Sequence, residues 1–316
     1  MSSKRLSGIL LHPTSLPGPH GSGDFGEAAR HFIDWLAAGA QTLWQILPLS
    51  GIGPGNSPYM SPSAFAGNEL LIDLTQLHHS GWLRAEDIAP ESALRDERVD
   101  YSAVIPYRMR RLRLAAERFF SETHGHEEAH QDFAAFCAEA QSWLDDYALF
   151  MALNQQYGGD GKLWQDWPAA LALREPDALQ EAAQTLAGEC DFWKFCQWCF
   201  DRQWHAIKQY ANERGIRIIG DMPIFVSAHS ADVWMHQALF DLGADGRPRV
   251  IAGVPPDYFS ATGQRWGNPL YRWNIHAQNG YRWWIARIRR VLSLCDGVRI
   301  DHFRGFESYW SVDGKA

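Results

Sequence analysis

The 316-residue sequence has few cysteines, no long apolar run and no surplus of positive charge. Each shortage excludes a class of protein. Five cysteines, at 137, 190, 196, 199 and 295, are an odd number in a long chain. They do not make the paired framework of a small secreted domain, and they point to reduced thiols in a cytoplasmic setting. No stretch of about 18 apolar residues occurs, so no helical membrane span is expected. The opening M-S-S-K-R-L-S-G-I-L-L-H-P holds a short apolar run, Leu6 to Leu11, without a small-residue cleavage site, and does not read as a secretion signal. Lys and Arg number 29 against 37 Asp and Glu, a net charge of −8. Nothing there suggests nucleic acid or an anionic membrane surface as a partner. Repeats and low-complexity tracts are also missing.

What is present is apolar and aromatic. Hydrophobic residues make up 46% of the chain, enough for a large core. There are 15 Trp, 10 Tyr and 16 Phe. A big core accounts for most of them, and flat apolar faces such as sugar rings would account for others. Composition does not choose between the two.

Four short apolar runs bounded by Gly and Pro read as buried parallel strands: Ser7 to Leu11, Thr42 to Leu49, Ile216 to Ile224 and Gly297 to Phe303. Helical patterns precede the last three. These are Phe25 to Ala38, Phe192 to Arg214 with Gly215 suited to its C-cap, and Tyr281 to Leu294 with Ile285, Ile288 and Leu292 on one stripe. Strand, helix, strand, repeated, argues for parallel βα units of an α/β fold, here taken as part of a (β/α)8 barrel. From about 81 to 189 no strand pattern is found. Helices are expected over Arg108 to Phe120, Glu127 to Asn154 and Asp177 to Ala187, as a helical insertion between the second and third strands. The expected organisation is 1–80 for strands one and two with a substrate loop, 81–190 for the insertion, and 191–316 for strands three and four with a lid loop over 241–273.

In such a barrel, chemistry belongs at the strand C-termini. Asp221 ends the third strand and Asp301 the fourth. The two-residue period puts Arg299 and Asp301 on one face of the fourth strand, with Val298 and Ile300 on the other. An arginine beside Asp301 favours the ionised carboxylate that a glycosidic nucleophile must be. A structural Arg–Asp pair fits the same pattern, and the residues alone leave both readings open. Two Gly/Pro-rich loops, Ser50 to Asn68 and Asp241 to Trp273, are too long for plain connections. They carry Tyr59, Phe65, Tyr258, Phe259 and Trp266, which suits a lid or a sugar platform, with Phe65 the best candidate for a core anchor.

Other motifs carry less. Cys190, Cys196, Cys199 and His205 hint at zinc, but the last three share one helix and cannot readily surround a tetrahedral ion, so buried core cysteines are expected. H-G-H-E-E-A-H, His124 to His130, reads as a solvated helix start. R-M-R-R-L-R from Arg108 and R-I-R-R from Arg287 read as charged helix faces. G-S-G-D-F-G lacks the spacing of a phosphate loop.

Taken together, H-P-T-S-L-P-G-P-H-G-S-G-D-F-G, N-S-P-Y-M-S-P-S-A-F-A-G-N, G-D-M-P-I-F-V with S-A-D-V-W, G-V-P-P-D-Y-F-S-A-T-G-Q-R-W-G-N-P-L-Y-R-W and D-G-V-R-I-D-H-F-R-G resemble the 4-α-glucanotransferases of glycoside hydrolase family 77, the amylomaltases or disproportionating enzymes. The resemblance implies a (β/α)8 TIM barrel of the α-amylase clan. It implies retaining transfer of a 1,4-α-glucan segment to the 4-hydroxyl of glucose or another 1,4-α-glucan, without a cofactor or metal. Maltooligosaccharides are then donors and glucose an acceptor. The resemblance makes Asp301 the nucleophile and Ser57, Tyr59, Asp221, Asp257, Gln264, Trp266, Arg299 and His302 substrate contacts. His229 stands where many relatives are expected to carry an aspartate. Four strands of eight imply a barrel truncated after the fourth, and the family's acid/base glutamate is expected after a fifth. Neither Glu307 nor Asp313 reads as its substitute. Two alternatives follow for this chain, a non-catalytic α-glucan-binding fragment and an α-amylase-like hydrolase.

Overall fold

The computed structural model describes residues 5–92, 94, 98–121, 126–258 and 260–314. Its strands are β1 (Gly8–Leu10), β2 (Leu43–Gln45), β3 (Arg217–Pro223), β4 (Val250–Val254), β5 (Gln264–Pro269), β6 (Gly297–Asp301) and β7 (Trp310–Asp313). The helices are α1 (Glu27–Ala38), α2 (Leu74–His79), α3 (Tyr101–Ser121), α4 (Glu127–Tyr157), α5 (Ala169–Ala172), α6 (Pro176–Thr185), α7 (Ala187–Glu213), α8 (Ala231–Met235), α9 (Trp273–Gln278) and α10 (Arg282–Leu294). His124 and Phe259 lie outside the described residues.

The four strands expected from the sequence form one parallel sheet in the order β1, β2, β3, β6. Its register sets Trp44 between Ile9 and Ile218, and Asp221 opposite Arg299. β2 is shorter than the apolar run Thr42 to Leu49 because Pro48 has no amide to give to a ladder. Helix α1 starts where Asp24 Oδ1 accepts from the Gly26 amide at 3.0 Å, and Ala29, Ile33 and Leu36 make its buried stripe. Past α7, the expected Gly215 adopts φ +75°, and the Ile216 amide reaches back to Ala211 O at 2.9 Å.

The helical expectation for 81–189 holds among the described residues; α3 and α4 are longer than expected, while α6 stops at Thr185 and Ala187 already opens α7. α3 begins at Tyr101 because Asp100 Oδ1 accepts from the Ser102 amide at 3.0 Å, and the helix runs on through Pro106. α7 is buried nearly all round from Phe192 to Phe200 and joins the insertion to the sheet in one continuous core. The Gln197 side chain, fully buried, donates to Gly67 O at 2.9 Å and accepts from Gly67 N at 2.7 Å. A Cβ on Gly67 would stand 2.3 Å from the Phe200 ring, so only glycine lets the 50–68 loop lie on α7. Phe65 is the anchor expected of it, between Trp143 and Trp283 at 6.3 Å from each.

Three expectations need correction. First, the arginine runs are only in part solvated faces, with Arg110 and Arg289 exposed but Arg108, Arg111 and Arg287 buried. Arg108 is fully buried, with its guanidinium on Ser22 O, Ile72 O and Asp24 Oδ2. Arg287 is also buried, against the carbonyls of Pro223 and Ile224 and the faces of Trp283 and Trp284. Burial is tolerated because most donors find carbonyl or carboxylate acceptors. Second, the buried face of α10 is Trp283, Trp284, Arg287 and Leu294, while Ile285 and Leu292 stand exposed. Periodicity locates a stripe without saying which side the core is on. Third, the loop 241–273 is not structureless. β4 and β5 form an antiparallel hairpin, and β7 pairs with the other edge of β4, giving a three-stranded sheet in the order β5, β4, β7.

The thiols behave as core groups, as expected. Cys196 and Cys199 are buried in α7 and their pKa values are pushed up by burial, while His205 turns to Asp201 at 3.0 Å. The start of α4 is solvated at Glu127 and Glu128, as expected, while His130 is half-buried against the Phe119 ring at 4.2 Å. His229 is half-buried and held by the fold. Its Nδ1 accepts from the Trp164 amide at 3.1 Å, Nε2 faces Asn154 Oδ1 at 2.8 Å, and burial lowers its pKa to about 4.

Candidate active site

The site is assembled by β3 and β6. Because they are adjacent and parallel, residues at matching heights face the same way. Asp221 lies opposite Arg299, and Pro223 opposite Asp301. The predicted alternation is the one found, with Val298 and Ile300 packed toward the core. The Arg299 guanidinium bridges two carboxylates. Nη1 donates to Asp221 Oδ2 at 2.7 Å and Nη2 to Asp301 Oδ1 at 2.5 Å. The Tyr59 hydroxyl, brought in by the 50–68 loop, donates to the same Asp221 Oδ2 at 2.7 Å.

The electrostatics follow from depth. The Asp221 side chain is 1% exposed, Asp301 38% and Arg299 46%. Burial raises the Asp221 pKa against the hydrogen bonds from Tyr59 and Arg299, and the Asp301 charge pushes the same way as burial. Burial, then the Asp221 acceptor, hold the Tyr59 phenol well above its ordinary range. Burial opposes the Arg299 charge, but the two carboxylates outweigh it and raise its pKa.

His302 follows Asp301 in a left-handed conformation, φ +50°, uncommon for a residue with a side chain. The turn lets the Gly305 amide close on His302 O at 2.8 Å and sends the imidazole toward the hairpin. There the Trp266 ring meets it edge-on, with centroids 5.1 Å apart. Tyr59, Trp266, Asp301 and His302 thus line one cleft of about 460 Å³, in the size range of small-ligand sites.

The remaining predicted residues stand behind this group. Ser57 caps the turn Pro58–Met60, its Oγ accepting from the Tyr59 amide at 3.3 Å. Gln264 Oε1 accepts from the Trp266 indole N–H at 3.0 Å. Asp257 Oδ1 accepts from the Ser260 amide at 2.9 Å, in the turn that joins β4 to β5, and does not line the cleft. Sequence reasoning missed Met60, Phe225, Arg265 and Asn268, which do line it. Phe225 was legible, since Asp221, Pro223 and Phe225 follow the two-residue period. Asn268 was not, because its placement depends on a hairpin that was read as a loop.

A family model described as 4-alpha-glucanotransferase matches residues 11–316. A 4-alpha-glucanotransferase of Thermus thermophilus is 51% identical over 312 residues, covering 99% of this chain and 61% of the relative. One from Synechocystis is 47% identical over 313 residues, with the same coverages. Among solved structures, an amylomaltase of Streptococcus agalactiae in complex with acarbose superposes with a TM-score of 0.94 at 42% identity, covering 99% of this chain and 62% of that one. The chain therefore spans about three-fifths of the length of these relatives.

Proposed function

The chain belongs to the 4-alpha-glucanotransferase family, glycoside hydrolase family 77, with that family's α/β barrel-type fold, and on that premise we propose that it serves transfer of 1,4-α-glucan segments between maltooligosaccharides. The observation that carries the reading is the Arg299 guanidinium shared between Asp221 and Asp301 at the edge of an aromatic cleft. It leaves Asp301 partly exposed, oriented, and beside a cation.

Asp301 attacks the anomeric carbon of the donor. The C1–O4 bond breaks, its electron pair stays on O4, O4 takes a proton from a general acid that none of the residues named here supplies, and a glycosyl ester forms on the carboxylate. The acceptor 4-hydroxyl then gives its proton to the conjugate base of that acid and attacks C1 as the ester bond breaks, returning Asp301 with overall retention. Arg299 holds the nucleophile, Asp221 supports Arg299 and a sugar hydroxyl, and His302 contacts the same sugar. Tyr59 and Trp266 supply apolar ring surface. Asp257 and Gln264 belong to the hairpin that folds over the glucan and limits the access of water, so that a sugar takes the glycosyl group. The chemistry asks for carboxylates and no cofactor. Glucose and short 1,4-α-glucans are the acceptors. A cytoplasmic place suits the five free cysteines, and among the described residues no helix is long and apolar enough to cross a membrane.

A glycosyl fluoride tests the nucleophile directly, because fluoride leaves without a general acid. With α-maltotriosyl fluoride and maltose, the expected products are fluoride and longer maltooligosaccharides, both lost in Asp301→Asn. Fluoride with only free maltotriose identifies a hydrolase and sinks the transferase reading. Incubation with maltotriose extends the test to natural donors, where glucose and a ladder of longer products are expected.

A further inference from the structure

The hairpin that carries Trp266 is not regular. Val254 pairs with Gln264 and Gly253 with Arg265, but Ile251 pairs with Pro269. The pairing therefore gains two residues on β5 between Arg265 and Pro269, a bulge over Trp266, Gly267 and Asn268. Gly267 has φ +80°, where a side chain is strained, although a Cβ there would meet nothing within 4 Å. The glycine is thus required by the backbone and not by space. The bulge presents Trp266 and Asn268 to the same cleft as Asp301.

Asn268 is 5% exposed, and its amide Nδ2 donates to Val226 O at 2.8 Å, in the segment that follows β3. A buried donor of this kind fixes the distal end of the bulge to the element that carries Asp221. The near end holds Trp266, tied to Gln264 and set against His302. We infer that Asn268 is a positioning residue for the sugar platform, acting through the bulge to hold the Trp266 ring beside Asp301. The inference rests on the glucan reading of the cleft. Asn268 sets where the ring stands, and Trp266 makes the contact.

The test is a thermodynamic cycle on the chain, with maltoheptaose binding measured by titration calorimetry. Trp266→Ala and Asn268→Asp each weaken binding by about ten-fold. Together they weaken it no further than Trp266→Ala alone, because Asn268 acts through the ring. Lowering the pH restores binding in Asn268→Asp, since a protonated carboxyl can again donate to Val226 O. A double variant that loses the product of the two single effects overturns the inference, as does an Asn268→Asp protein that binds like the wild type at neutral pH. Should Asn268→Asp lose its cooperative thermal transition, Gly267→Ala takes its place in the cycle. It keeps the donor and strains the bulge, and an effect independent of Trp266 is again the refuting result. A wild-type chain that does not bind maltoheptaose removes the glucan reading itself, and the inference with it.

Discussion

Two arginine–aspartate clusters in this molecule have nearly the same hydrogen-bond lengths and opposite surroundings. Beneath the helical insertion, Arg108 meets Asp24 at 2.8 Å, both side chains almost without exposure. At the barrel mouth, Arg299 meets Asp221 at 2.7 Å, and its own side chain is 46% exposed. In the first pair the guanidinium is held by two carbonyls and the Asp24 carboxylate, and only its Nε is left without a partner. The second links a buried carboxylate to an accessible one beside a cleft. Bond geometry therefore does not separate a structural ion pair from one at a candidate active site. Depth, and what the second carboxylate can reach, do.

That contrast can be broken experimentally. The largest effect is expected at the mouth. Asp301→Asn lowers turnover of the glycosyl fluoride by roughly 10⁴-fold or more, while the melting temperature, read by calorimetry, is almost unchanged. A large loss of stability in this variant would place Asp301 with Arg108 as a structural residue. Next comes the buried pair. Arg108→Met leaves Asp24 without its cation and costs about 3–5 kcal/mol in denaturant unfolding. Adding Asp24→Leu recovers part of that loss, and maltoheptaose affinity of the folded fraction is unaffected in both.

A third carboxyl, Glu69, sharpens the comparison because no cation among the described residues is paired with it. Burial raises the Glu69 pKa from 4.5 to about 7. The folded state then holds a proton that the unfolded state has released between those values. Stability contributed by the neutral form is complete below pH 4.5 and is lost as pH rises through about 7, to the extent of about 3 kcal/mol. Glu69→Gln flattens that slope in unfolding measured from pH 4 to 8 and stabilises the protein at the upper end. The smallest effect belongs to Tyr59→Phe. It removes one donor from Asp221 and keeps the ring, so kcat/KM falls about ten-fold, near 1.4 kcal/mol. A ring-only role predicts no change.

The sequence was most legible where local periodicity and chemistry coincide. In G-V-R-I-D-H-F the period of two alone aims Arg299 and Asp301 to one side, and the neighbouring strand adds Asp221 at the matching height. The four parallel strands were readable for the same reason. What was hidden depends on distant partners. Nothing near Arg108 in sequence announces Asp24, 84 residues away. α10 carries apolar residues on two sides, and only the packed structure shows that Trp283 and Trp284 face inward. The hairpin escaped notice because β4 and β5 flank a Pro/Gly-rich turn, and because β7, only four residues long, joins them from beyond β6.

That last pairing makes the site a single mechanical linkage. Val250 to Gly253 are matched residue for residue with Asp313 to Trp310, and only eight residues separate Trp310 from Asp301. The hairpin therefore cannot swing as a free flap. Lifting it either unzips four matched pairs or drags on the backbone that carries His302. A cover geared in this way to the strand beneath it has few intermediate positions, so access of water and alignment of the Asp301 carboxylate would change together, as two readings of one coordinate.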